Sequence, residues 1–201
     1  LMAELRPGDF VIGRSMMSHG EGGERLPQVG LYVTNAKRVV VPERMSPDLA
    51  LFLGMLAADG HTTIETGAVG LTSASEEALA EYTRLAQTLF GMTPRHLLDK
   101  RNPNVQYLTL NSRVLCRWVE DLIGKGAYAK VVPPQILNGS AEEKLAFLRG
   151  LSLDGYRRDN HGLYIYAGMS ERLAYGVAEL CRTFGLPQVR QERVTVAYNG
   201  S

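Results

Sequence analysis

The sequence predicts a mixed α/β (α+β) domain in which one unit of helices and strands occurs twice, and three observations predict it. Two apolar helical runs end in Asp-Gly, at Asp59-Gly60 and at Asp154-Gly155, about 95 residues apart. Around each run the order helix, strands, helix, strands returns, which is the mark of an internal duplication rather than a short-period solenoid. With 201 residues, 45% of them hydrophobic and 21% charged, the chain is long enough for one large domain or two small ones with a true core.

Three regions follow along the chain: residues 1–44, 45–139 and 140–201. The first is β-rich. Short runs at Asp9 to Ile12 and Val29 to Val33 flank the glycine-rich loop Ser18 to Glu24, and Pro42 and Pro47 mark a boundary near residue 45. Ser46-Pro47-Asp48 then opens a helix: Ser46 can cap, Pro47 suits the first turn, and Asp48 complements the dipole. Its apolar run Leu49 to Ala58 stops at Gly60. Ser75 to Phe90 reads as a second helix, with Ser75 as cap and Gly91 as terminator. Strands are expected at Pro94 to Leu98 and Val105 to Leu110, the latter alternating Val105, Tyr107, Thr109 against Gln106, Leu108, Leu110. A helix from Ser112 to Ile123 closes this copy. The second copy begins with a helix from Ala141 to Leu153, stopped by Gly155. Strands are expected near Tyr156 and at Leu163 to Tyr166, then a helix from Ser170 to Phe184 and extended runs from Gln188 to Val196. This copy ends early: nothing after Tyr198 matches the helix near residues 112–123.

Composition narrows the function. No run nears the roughly 20 apolar residues that span a bilayer, so no membrane partner is expected. Leu1 to Gly13, charged and proline-containing, does not read as a signal peptide. Cys116 and Cys181 sit in apolar helical patterns, as core thiols of a cytoplasmic protein would. His19, His61, His96 and His161 show no ligand spacing, which argues against zinc. The net charge is only +1. Its distribution is uneven, since Pro94 to Gln135 carries seven basic residues against three acidic ones, a local balance of +4, while Glu76 to Glu81 is acidic. One phosphate-facing side accounts for such a pattern, and scattered solvated charge accounts for it equally well.

The chemistry centres on the two Asp-Gly helices. Ala50, Gly54 and Ala58 in the first, and Ala146 and Gly150 in the second, recur at four-residue spacing. Small residues four apart share one helix face and let two helices approach closely. An acid ending each packed helix would bring two carboxylates together, able to hold a divalent metal against a phosphodiester. An isolated Asp-Gly is also an ordinary helix stop and turn. Phe52 to Gly60 and Phe147 to Gly155, with the duplicated order around them, resemble the LAGLIDADG homing endonucleases. The resemblance implies a duplicated αββαββα fold and metal-dependent cutting of both strands of a long, asymmetric duplex DNA site. It implies catalytic roles for Asp59, Asp154 and Lys130, and Mg²⁺ or Mn²⁺ held by Asp59, Asp154 and the Gly60 carbonyl. DNA contacts are expected from Arg95, Lys100, Arg101, Arg190 and Arg193 on the strands near 94–110 and 188–198.

Two further segments resemble intein members of that family. Glu4 to Val11, with its Pro-Gly-Asp turn, is similar to part of a Hint-like splicing domain, so residues 1–44 are expected to be a remnant of one joined to a linker. Lys130-Val-Val-Pro133 resembles the Lys-x-x-Pro segment before the second motif, whose lysine can stabilise developing phosphate charge or orient the attacking water. The resemblance implies a host protein as intein precursor and a monomeric enzyme. Lacking an N-terminal Cys or Ser and a C-terminal His-Asn, the chain as given is not expected to splice.

The two motifs differ by one residue. Gly54 precedes Asp59 by five positions, whereas Gly150 precedes Asp154 by four, and one residue turns a helix by about 100°. If the two acids correspond, Arg149 takes the tight packing position. If the small faces correspond, Asp154 falls where Ala58 lies. No lysine follows Lys144, so Arg190 or Arg193 would have to replace a second Lys130. A DNA-binding relative with impaired cleavage is therefore the alternative expectation.

Overall fold

The computed structural model describes residues 18–28, 39–98, 105–153, 156–158, 163–165 and 168–186. Its centre is helix α1 (Pro47–Asp59), which starts as its sequence predicts: the Ser46 side chain accepts from the Leu49 amide at 3.3 Å and Pro47 occupies the first turn. Every residue from Leu49 to Ala57 is buried, so α1 has no solvent stripe and must be enclosed on all sides.

One side of that enclosure is a four-stranded antiparallel sheet of β1 (Gly60–Thr63), β2 (Ala68–Ser73), β3 (Arg95–Leu98) and β4 (Gln106–Asn111), in the order β1-β2-β4-β3. Helices α2 (Glu76–Phe90) and α3 (Arg113–Ile123) join α1 on its apolar face, where Val69, Leu71, Leu108 and Leu110 are buried. Phe52 stacks on Tyr82 with ring centroids 5.2 Å apart, and Phe90 bridges Phe52 to Trp118 edge-on. The Tyr82 hydroxyl donates to the Val69 carbonyl at 2.9 Å, which satisfies its polar end inside the core.

Both ends of α2 and the start of α3 agree with the caps read from sequence. Ser75 accepts from the Ala78 amide, Gly91 closes α2 in the left-handed region at φ 62°, and Ser112 accepts from the Leu115 amide. The strands expected between the first two helices are β1 and β2, whose residues the sequence did not place. Gly60, Gly67 and Gly70 dilute their apolar pattern, and mid-strand glycine lowers strand propensity where no side chain is wanted. The short helices α4 (Gly126–Ala129) and α5 (Pro134–Leu137) were unforeseen.

The other side of α1 is covered by α6 (Ala141–Ser152), started by a capping box in which Ser140 and Glu143 satisfy each other's backbone amides. A hairpin of β5 (Tyr156–Arg158) and β6 (Leu163–Ile165), then α7 (Glu171–Thr183), follow in the order helix, two strands, helix, as in α1, β1, β2, α2. The contact between α1 and α6 is backbone against backbone. A methyl group at Gly54 would lie 2.2 Å from the Phe147 carbonyl oxygen, and one at Gly150 would lie 2.3 Å from the Leu51 oxygen. Gly54 and Gly150 therefore face each other, and Arg149 is exposed, outside that contact. The small faces correspond, which overturns the other register. Ala50 is fully buried, whereas Ala58 and Ala146 are half-buried at the flanks of the contact.

Residues 18–28 and 39–46 form a strap over both halves. Leu26 and Met45 reach the core, and their amides donate to the Glu43 and Glu24 carbonyls around an Arg25–Arg44 bridge. The strap is tied to α6 by the Gly23 amide on the Glu143 carboxylate at 2.8 Å. It is tied to α3 by the Trp118 indole, which donates to the Pro27 carbonyl at 2.9 Å. The strands expected at Asp9 to Ile12, Val29 to Val33 and Gln188 to Val196 lie outside the described residues.

Gly150→Ala should lower the urea midpoint by an amount equivalent to about 1–3 kcal/mol with little change in slope, because the new methyl meets fixed backbone. An unchanged midpoint in chemical denaturation would show that α1 and α6 do not meet this closely.

Candidate active site and nucleic-acid interface

Asp59 is the last residue of α1 and is exposed. Gly60 leaves the helix with φ −78° and ψ 153°, extended rather than left-handed. The usual reason for glycine at a helix end thus does not apply here. A methyl at Gly60 would lie 2.4 Å from the Leu56 Cα, so it is space that requires glycine. The chain passes from helix straight into β1, which leaves Asp59 at a sharp corner.

Lys130, in the loop before α5, closes that corner. Its ammonium donates to three carbonyls: Leu56 at 2.8 Å, Ala58 at 3.2 Å and Gly60 at 2.9 Å. Carbonyls at a helix C-terminus run short of amide partners, and a cation there also complements the dipole. Burial lowers the Lys130 pKa, and the Asp59 charge partly restores it. The Lys130 carbonyl in turn accepts from the Ser170 hydroxyl, the N-cap of α7. One residue thus joins the end of α1 to the start of α7.

The sheet face away from the helices carries the second group. Directly opposed residues on antiparallel strands share a face, so the register sets His61, Gly70, Thr109 and Arg95 in one row across all four strands. Thr72, Tyr107 and Leu97 form the row on one side, and Thr63, Ala68 and Asn111 the row on the other. His61, Arg95, Leu97 and Asn111 are exposed. The His61 ring lies on Gly70, where an added methyl would come within 2.4 Å of its Cε1 and Nε2. Burial, and then the charge of Lys130, lower the His61 pKa. On the helix side the Thr62 hydroxyl donates to Glu120 at 2.8 Å.

Of the residues singled out from sequence, the structure brings Asp59, Gly60 and Lys130 together and sets Arg95 on the open face. Asp154, Lys100, Arg101, Arg190 and Arg193 lie outside the described residues. Sequence reasoning missed His61. Its signal was available, since it directly follows Asp59-Gly60, but histidine spacing was weighed only for zinc. Among the described residues no group of three or more His, Cys, Asp and Glu could hold a metal ion. The Asp59 carboxylate is a hard oxygen donor, the chemistry that Mg²⁺ accepts alongside water and phosphate, and the Gly60 carbonyl, which already accepts from Lys130, has a second lone pair for a metal. Cys116 is buried and Cys181 half-buried, and burial pushes the Cys116 thiol up to about 11. No helix among the described residues is long and apolar enough to cross a membrane.

An apolar helix that ends in an Asp-Gly corner, packs on a second helix through glycine and lies above an antiparallel sheet matches a known family over part of the chain. Residues 46–124 match the model of the LAGLIDADG-like domain. The match covers α1, the four-stranded sheet, α2 and α3. Nearly the whole chain is also similar to part of an A-type ATP synthase polypeptide of Pyrococcus abyssi, at 27% identity over 196 residues, covering 95% of this chain and 18% of that protein. It is similar to an ATP-dependent DNA helicase of Thermococcus kodakarensis, at 29% identity over 145 residues, covering 69% of this chain and 13% of the helicase. The chain spans less than a fifth of either relative. A LAGLIDADG-like domain points to a homing endonuclease or a related DNA-binding domain, and in general to a nuclease family.

Lys130→Met should lower the unfolding free energy by about 2–4 kcal/mol, because three carbonyls lose their donor in a half-buried corner. The Gly60 amide, which bonds to the Leu56 carbonyl, should lose hydrogen-exchange protection in the variant. Unchanged stability together with unchanged protection would remove the capping role.

Proposed function

We propose that this chain is the homing-endonuclease part of an intein and makes metal-dependent cuts in a long, asymmetric duplex. The observation that carries this reading is the Gly54–Gly150 contact, which packs together two helices whose sequences both run into Asp-Gly. The repeated order of helix, two strands and helix supports reading residues 45–139 and 140–201 as two copies, with residues 1–44 as a Hint-like remnant and linker. The relatives support the intein context. An ATP synthase polypeptide and a DNA helicase share no named activity, yet each matches this chain over less than a fifth of its own length. An inserted element carried by unrelated hosts accounts for both. A cytoplasmic, monomeric protein is the form in which such an element would meet DNA.

In this reading Asp59 and Asp154 are the metal-holding acids, with the Gly60 carbonyl beside them. The bound Mg²⁺ or Mn²⁺ would supply Lewis-acid stabilisation of phosphate charge. Lys130 holds the corner rigid, so that Asp59 is presented without reorganisation. By turning one of its N–H bonds from a helix carbonyl to a phosphate oxygen, with the proton staying on the ammonium, Lys130 would also meet developing charge. The open sheet face, with Arg95, His61 and Thr109 in one row, is shaped as a β-surface for the major groove. Lys100, Arg101, Arg190 and Arg193 are the further candidates for phosphate contact.

Asp59→Asn should abolish magnesium-dependent cleavage of a plasmid carrying an intein-free host gene, while DNA affinity changes less than a few-fold. Cleavage at the parental rate would exclude Asp59 from the chemistry. Binding itself should weaken steeply with salt, because each neutralised phosphate releases counterion. Affinity independent of salt would count against the phosphate-facing surface.

A second reading, impaired cleavage, is favoured by the packing register. With Gly150 opposite Gly54, Asp154 stands at the count of Ala58 rather than Asp59, and α6 ends at Ser152. Misplacing a reacting group by about 1 Å can lower a rate on the order of 10²-fold. Time courses with each strand end-labelled separately, in magnesium and in manganese, should show one strand cut about ten-fold faster than the other, a conservative reading of that penalty. Equal, fast cutting of both strands would mean that the residues after Leu153 absorb the missing position.

A further inference from the structure

Away from the Asp59 corner, a cavity of about 340 Å³ opens where the strap, α6 and α7 meet. Ser18, His19, Asn138, Lys144, Glu179 and Thr183 supply its polar lining. Lys144 is only 1% exposed, yet no described residue accepts a hydrogen bond or an ion pair from its ammonium. His19 lines the same cavity, its ring against Phe184 with centroids 4.9 Å apart, and its Nδ1 is buried without a partner among the described residues. Two side chains with unmet polar capacity thus line one cavity. The lining carboxylate, Glu179, is engaged by Arg182 one turn along α7, at an exposed edge. Thr183 already donates its hydroxyl to the Leu180 carbonyl. With Glu179 paired to Arg182 outside the cavity, Lys144 is the charged lining residue left without an ion pair.

An ammonium at the wall of a cavity, with only solvent to pair with, gains from a counterion, and an unsatisfied buried imidazole nitrogen is unfavourable. An anion answers both, and a polyatomic oxyanion can take one bond on each of two oxygens. Room is not limiting, since a water takes about 30 Å³ in the liquid and the cavity would hold an anion with several waters. We infer that this cavity binds a small oxyanion of the phosphate or carboxylate type, gripped by the Lys144 ammonium and the Nδ1–H of His19. Lys144 supplies the charge and His19 the direction. Because the cavity joins the strap to α6 and α7, an anion there would tighten the join between the N-terminal segment and the second half. Burial also lowers the Lys144 pKa.

The test is thermal unfolding of the whole chain in inorganic phosphate, in acetate and in chloride at matched ionic strength, with no DNA present. Phosphate at about ten times its Kd should raise the midpoint by roughly 3–6 °C over chloride, and acetate reports whether a planar oxyanion serves as well. Lys144→Met should erase this dependence and should itself be more stable than the parent in chloride, since it replaces an unpaired buried charge by an apolar chain of similar length. His19→Phe keeps the ring against Phe184 and removes the donor, and should weaken phosphate about ten-fold, the loss of one charge-assisted hydrogen bond; it decides the matter if the Lys144 variant does not fold. Phosphorus line broadening on adding the parent protein, absent with Lys144→Met or reduced with His19→Phe, reports binding directly. Equal midpoints in all three salts, or a phosphate effect that survives in Lys144→Met, would overturn the assignment.

Discussion

Gly54 and Gly150 let α1 and α6 touch through their backbones, and most of the architecture is arranged around that contact. A helix with carbonyl oxygens of its neighbour against its own axis cannot also present a polar stripe there. The sheet, α2 and α3 must then cover everything else, and the unbroken burial from Leu49 to Ala57 is the result. The same contact fixes which residues stand level on the two helices. A one-residue slip would drive Arg149 into the interface, where neither its volume nor its charge has a place. The register is decided by sterics, and the acids follow wherever it takes them.

At the far end of α1 the problem becomes electrostatic. A buried helix that stops abruptly leaves carbonyls short of amide partners, and here an immediate turn into β1 gives no room for a left-handed closing turn. Lys130 meets the shortage with three hydrogen bonds from one ammonium. A charged donor makes stronger bonds than a neutral one, and the neighbouring Asp59 charge offsets part of its burial. His61, lying on Gly70 near the start of β1, extends this polar corner onto the open sheet face. The corner and the face are therefore continuous, and the main-chain turn at Gly60 is what joins them.

Much of this was legible in the residues alone. Ser46, Ser75, Ser112, Ser140 and Ser170 cap the helices they precede, because a serine before an apolar-periodic run leaves little else for that side chain to do. The four-residue spacing of Ala50 and Gly54 announced a close helix contact for the same kind of reason. What stayed hidden is equally physical. Strand β2 carries Gly70 at its middle, where the ring of His61 needs the space, so the position that makes the surface is the one that erases the strand pattern. Lys130 looked like a lysine for phosphate, and its present partners are carbonyls from residues 56–60, a long-range pairing that no local pattern encodes. The burial of Lys144 was equally unreadable, since the capping box before it marks an ordinary helix start.

The strap of residues 18–28 and 39–46 sets a limit on how this domain can be trimmed or moved. Its hydrogen bonds reach Gly139 and Glu143 at the start of α6 and Trp118 in α3, so that both halves of the molecule are held. A cut at the boundary suggested by Pro42 and Pro47 would strip them all at once, taking partners from a buried carboxylate and an indole N–H and uncovering the seats of Leu26 and Met45. For anyone grafting the helix pair and its sheet into another protein, the smallest portable piece therefore starts well before the first residue of the family match. Evolution faces the same restriction: a chain that sheds its N-terminal segment must first find new partners for Trp118 and Glu143.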